Sequence, residues 1–220
     1  MKFIELLRKI EERSGLYLGG TTFMGLKSLI DGYVAGATGK LYGNNCFLDT
    51  EFQKYIQDSL YFSDYSWYRI INACGCDDHY AFDRFFKYFN KFLEKSDNLS
   101  KNGNWTKKIE GRIDMEEVFE SIRNNPYDLL IEKNIECIRH YTDGIFYSID
   151  WHLDEENIIN AFDFIAFSYF VASKYNDTPM RGWVGIIRLN SKNEEDAFRL
   201  FFELYDEFKK RQKVTNNKQL

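Results

Sequence analysis

Apolar residues recur along much of this chain at the three- and four-residue spacing of a helix packed on one side, and alternating strand-like runs are sparse. Phe3, Leu6, Leu7 and Ile10 predict a short amphipathic helix, followed by a turn at Ser14-Gly15 and the stretch Leu16-Tyr17-Leu18-Gly19-Gly20. Thr21 or Thr22 would cap the next helix, which buries Phe23, Leu26, Leu29, Ile30 and Tyr33. A third helix is predicted over Phe52 to Leu60 and a short one through Trp67 to Ala73. Phe82, Phe85, Phe86, Phe89 and Phe92 then form a phenylalanine stripe on a long helix with Asp77 as its N-cap.

The same programme recurs further along. Residues 66–95 align without a gap on residues 182–211 at an offset of 116, and Trp67/Trp183, Ile70/Ile186, Ile71/Ile187, Phe82/Phe198, Phe85/Phe201 and Phe92/Phe208 are among the identical pairs. Upstream the offset is 112, which pairs Leu6, Leu7 and Ile10 with Val118, Phe119 and Ile122, and Asp31-Gly32 with Asp143-Gly144. The chain therefore reads as a tandem duplication: unit 1 over 1–96, a polar linker over 97–112, an acidic unit 2 over 113–211, and a flexible tail over 212–220. Asn193 is the expected counterpart of the Asp77 cap. The fold class expected is all-α, with two homologous units of about five helices each packed pseudo-symmetrically.

Composition narrows the functional classes. Of 220 residues, 18% are aromatic and only 2 are proline, a balance that builds long helices and a large core. No apolar run approaches the roughly 20 residues that cross a bilayer, so a cytoplasmic protein without a membrane association is expected. Four scattered cysteines do not make a secreted disulfide framework. The net charge of −5 divides into about +2 over residues 1–112 and −7 over 113–220, which disfavours nucleic acid and suits a basic partner.

Few motifs carry chemistry. Gly36-Ala37-Thr38-Gly39-Lys40 has Val34 and Leu41 where a phosphate loop needs glycine and a hydroxyl, so it reads as a glycine-rich helix exit. Cys74-x-Cys76-x-x-His79 offers three soft ligands but no fourth, and Asn190, Lys192 and Glu195 stand at the paired positions. His140 and His152 have no nucleophile at a recognisable spacing. No catalytic residue, metal or cofactor is assigned, and the protein is expected not to be an enzyme. The acidic stretch is different: Asp143, Asp150, Asp154, Glu155, Glu156 and Asp163 are interleaved with Phe146, Tyr147, Trp151 and His152, and no cation interrupts them. Carboxylates beside aromatic anchors suit a surface that grips a basic protein, and Asp150, Trp151, Asp154, Glu155, Glu156 and Tyr147 are the candidate partner-binding residues.

Each half also resembles a small bacterial family of about 100 residues, through Arg13 to Gly19, Asp31-Gly32-Tyr33, Trp183 to Ile187 and the terminal Phe201-Phe202-Glu203-Leu204-Tyr205-Asp206-Glu207-Phe208. The family is similar to immunity proteins of polymorphic-toxin loci. The first copy has Ser14 where the family has proline, and the second reads Pro126-Tyr127-Asp128-Leu129-Leu130 where it has Tyr-Leu-Gly. The resemblance implies neutralisation of a cognate toxin by stoichiometric binding, and the acidic second half suits a toxin with a basic active-site cleft. The alternative expectation is a helical defence or regulatory module that holds a small ligand or nucleotide between the repeats, with Arg69, Arg181 and Arg188 meeting an anion.

Overall fold

A computed structural model describes residues 2–42, 46–96, 112–149 and 158–216. The protein is mostly helical, with twelve α-helices among the described residues and one two-stranded pair, β1 (Ile113–Asp114) with β2 (Ile158–Ile159). None of these helices is long and apolar enough to cross a membrane.

The first half carries α1 (Phe3–Glu12), α2 (Ser14–Leu18), α3 (Phe23–Thr38), α4 (Glu51–Leu60), α5 (Trp67–Cys74) and α6 (Asp78–Lys95). The second carries α7 (Met115–Asn124), α8 (Pro126–Leu129), α9 (Ile135–Ser148), α10 (Phe164–Tyr175), α11 (Gly182–Leu189) and α12 (Glu194–Asn216). Each half thus has six helices where about five were expected. The added element is the single turn of α2 or α8, where a short apolar stretch coils before Gly19 turns left-handed at φ 71° or after Pro126 sets the first helical dihedral. At the other end α12 continues through Gln212 to Asn216.

The caps fall where the side chains predict. Thr22 accepts from Gly25 N–H at the start of α3, Asp77 from Tyr80 N–H at α6, and Asn193 from Asp196 N–H at α12. Asp78 adds a long-range cap, its carboxylate accepting from both Phe23 and Met24 N–H at 3.0 Å. Helix α3 leaves through Gly39, left-handed at φ 66°, which agrees with a helix exit at the Gly36–Lys40 segment.

By its contacts the chain divides into two compact units whose boundaries differ from the sequence halves: residues 1–113 with 140–159, and residues 114–139 with 160–220. In the first, Phe52 sits among the rings of Trp67, Phe85, Phe89 and Phe92; it meets Phe85 at 5.7 Å and 76°, and Phe92 at 5.4 Å and 68°. This unit also takes in the last part of α9, because α3 and α9 cross at backbone contact. A methyl group added to Gly32 would lie 1.8 Å from the Tyr141 carbonyl oxygen, and one on Gly144 would lie 2.1 Å from that of Leu29. In the second unit Phe167 sits among Phe162, Trp183, Phe201 and Phe208, meeting Phe201 at 5.8 Å and 80° and Phe208 at 5.5 Å and 70°. These rings are the centre of each unit's buried core, packed with Leu and Ile side chains around them.

Candidate interaction surfaces

Of the six candidate partner-binding residues, Asp150, Trp151, Asp154, Glu155 and Glu156 lie outside the described residues. Tyr147 is described, and it is half-buried against the core of the first unit with its ring 5.6 Å from that of Tyr17. Such a ring is packing material as much as an anchor. Asp163, at the far end of the acidic stretch, is the N-cap of α10 and accepts from Ala166 N–H at 2.9 Å.

The other motif residues are accounted for locally. His79 places Nδ1 2.6 Å from Thr21 Oγ1 and Nε2 3.7 Å from Asp83, while Cys74 is half-buried and Cys76 exposed. No group of three or more His, Cys, Asp or Glu side chains is placed to hold a metal ion among the described residues. Arg188 is bound by Glu194 at 2.7 Å and Glu136 at 2.8 Å, and Arg181 by Asp177 at 3.1 Å, so both guanidinium charges are already compensated; Arg69 is exposed. His140 is buried beside Gly25.

Among the described residues the second unit carries a groove of 640 Å³ lined from α7 and α12. Phe198 and Phe202 make its floor, which the stripe spacing predicts because these positions lie at the edge of the buried face of α12. Arg123 clips one end, donating to Asp206 at 2.6 Å with its guanidinium 4.8 Å from the Phe202 ring centre. Lys133 clips the other, 3.3 Å from Glu195 and 5.5 Å from the Phe198 centroid. Arg199 lies between them, paired with both Asp196 and Glu203. The backbone N–H of Lys192 and then Arg199 hold the Asp196 carboxyl below its usual range, and Asp196 raises Arg199 in turn. The four cations and four carboxylates that line the groove balance, and most are already paired with one another.

One exposed feature went unmarked in the sequence. The α4–α5 connection carries Tyr61, Phe62 and Tyr65, which are 96%, 39% and 54% exposed. Gln57 Nε2 donates to Ser63 O at 2.7 Å and Gln53 Nε2 to Tyr65 O at 2.8 Å, while Gln53 Oε1 accepts from Trp67 N–H. The loop is therefore fastened along its length from one face of α4. Three aromatics within five residues, in a stretch free of Lys and Arg from Tyr55 to Tyr68, is the signal that could have found it.

Comparison with known protein families, characterised proteins and solved structures gives no match.

Proposed function

We propose that this chain is a binding protein built from a duplicated helical unit, which neutralises a protein toxin by occupying it in a stoichiometric complex. One observation carries the binding reading: the interior contacts recur at paired positions, whereas the surface contacts at those positions keep their place and change their chemistry. Helices α1, α2 and α3 start 112 residues before α7, α8 and α9, and α6 starts 116 before α12. The Phe52–Phe85 and Phe52–Phe92 ring pairs match Phe167–Phe201 and Phe167–Phe208 to 0.1 Å and within 4°, with Phe167 standing 115 residues after Phe52, one short of the offset of its partners. The Gly32–Tyr141 and Gly144–Leu29 approaches exchange paired residues, as a pseudo-twofold crossing would.

At the surface, the Thr21–His79 contact stands where the second copy has Lys133–Glu195, and Glu11–Asn90 where it has Arg123–Asp206. A frame held constant while its outer side chains are rewritten is the pattern expected of a recognition scaffold. The resemblance to immunity proteins and the acidity of residues 113–220 direct the reading to a toxin with a basic cleft. The cytoplasm is its proposed location.

The test is affinity capture from the native host, reconstitution of the purified pair, and a growth assay with both genes expressed. A one-to-one complex that restores growth is expected, and charge reversal of Asp154, Glu155 and Glu156 together should raise the dissociation constant more than tenfold, about 1.4 kcal/mol. A partner that binds tightly while growth stays arrested would overturn neutralisation.

A further inference from the structure

The turn that ends α4 is made with an expensive residue. Tyr61 sits in the left-handed region at φ 58°, ψ 40°, its N–H bonded to Gln57 O, and Phe62 N–H reaches the same carbonyl at 3.1 Å. The second copy makes this turn at the end of α10 with Asn176 at φ 52°, ψ 44°, and Asp177 N–H reaches Ala172 O at 2.9 Å. Asparagine tolerates that conformation and a bulky aromatic does not, at a cost of about 1 kcal/mol. Core packing returns nothing for it, since the Tyr61 side chain is almost wholly exposed. Strain held by a side chain that stabilises nothing in the free protein is a mark of a functional position.

The neighbours define what that position meets. The Tyr65 ring stands edge-on to Phe62 at 6.5 Å, so the loop offers an aromatic surface whose backbone is pinned in advance by Gln53 and Gln57. Rigid, exposed tyrosines give contact area at low entropic cost. Asp58 and Asp64 flank the rings, are exposed, and make no ion pair among the described residues. In the second copy the corresponding loop closes its own charges, Asp177 with Arg181, and carries no aromatic. Unpaired carboxylates beside open π faces match a guanidinium, which stacks on a tyrosine and donates a bidentate pair of hydrogen bonds to a carboxylate.

We infer that residues 58–65 form a docking surface for a protein partner that presents arginine side chains. This rests on the binding reading above and names a surface for it distinct from the acidic stretch.

The test uses the full chain labelled with 3-fluorotyrosine, with the Tyr61 and Tyr65 signals assigned through Tyr61→Asn and Tyr65→Ser. Titration with an N-acetylated hexa-arginine amide should move both signals saturably, a hexa-lysine peptide should move them less, and a hexa-glutamate peptide should leave them in place. The double variant Asp58→Asn/Asp64→Asn should raise the dissociation constant for hexa-arginine at least fivefold. Fluorine signals that stay still, or a double variant that binds as the unaltered protein does, would overturn the proposal. With a captured partner in hand, Tyr61→Asn should weaken the complex tenfold or more while leaving thermal stability equal or higher, which separates lost contact from lost folding. Unchanged affinity for that partner would overturn this surface and leave the binding reading standing; the absence of any stoichiometric partner would overturn the binding reading, while the peptide titration would still decide the surface.

Discussion

Replacing Gly32 by alanine should unfold the first unit more readily than almost any other single methyl group could. Its Cβ would lie 1.8 Å from the Tyr141 carbonyl oxygen and 2.6 Å from the carbonyl carbon, both of them backbone atoms that cannot rotate away. To restore even 3.0 Å, α3 and α9 must part by about 1.2 Å, and a gap of 0.5–1 Å already forfeits a quarter to a half of each dispersion contact. The contacts at stake belong to fully buried side chains, among them Leu29, Tyr33, Tyr141 and Ile145. Overpacking against backbone of this kind costs about 3 kcal/mol, the upper part of the usual range. Urea unfolding followed by tryptophan fluorescence should show the midpoint falling by about 1 M or more at unchanged slope. Gly144→Ala should behave alike, since its Cβ would meet Leu29 O at 2.1 Å. Gly15→Ala is the control: it lies in α2 with nothing within 4 Å, and should be neutral or stabilising by about 0.5–1 kcal/mol. If Gly32→Ala and Gly15→Ala have the same midpoint, the close crossing does not exist in solution.

Three further outcomes follow from other parts of the structure. Phe52→Ala and Phe167→Ala should each cost about 3–5 kcal/mol, and calorimetry should find the two losses similar because their ring environments are. Asp77→Ala and Asn193→Ala should each lose about 1 kcal/mol through their helix caps, with Asn recovering most of the loss at position 77. Burial raises the phenols of Tyr33 and Tyr141 and pushes that of Tyr205 up to about 12. A raised folded pKa means stability that is complete below the ordinary value of about 10 and lost as pH climbs through the folded value, so ultraviolet titration should find these three ionising last and together with unfolding.

The helices were legible because their information is local. The stripe from Phe82 to Phe92 and the caps Thr22, Asp77 and Asn193 are each specified within a turn or two of chain. Helix α2 was not, since five residues with a glycine in second place carry too short a pattern to separate from a turn. The compact units were not either: that His140–Ile159 joins the first depends on Gly32 and Gly144 meeting backbone over 100 residues away, and no periodicity registers such a contact. Of the candidate site, only Tyr147 falls within the described residues, and burial against Tyr17 has already claimed part of its ring. The loop with Tyr61 was legible in part: its three aromatics in five residues stand in the sequence, whereas the left-handed dihedral at Tyr61 cannot be read from residue type.

The clasp between Asp78 and the start of α3 makes two amides into gauges of a distant event. Phe23 and Met24 N–H are bonded to a carboxylate 55 and 54 residues further along the chain, whereas Gly25 N–H is bonded to Thr22 nearby. Hydrogen exchange at Gly25 should therefore report fraying of the helix end, and exchange at Phe23 and Met24 should follow the undocking of α6 from α3, a slower opening measured at neighbouring positions in one spectrum.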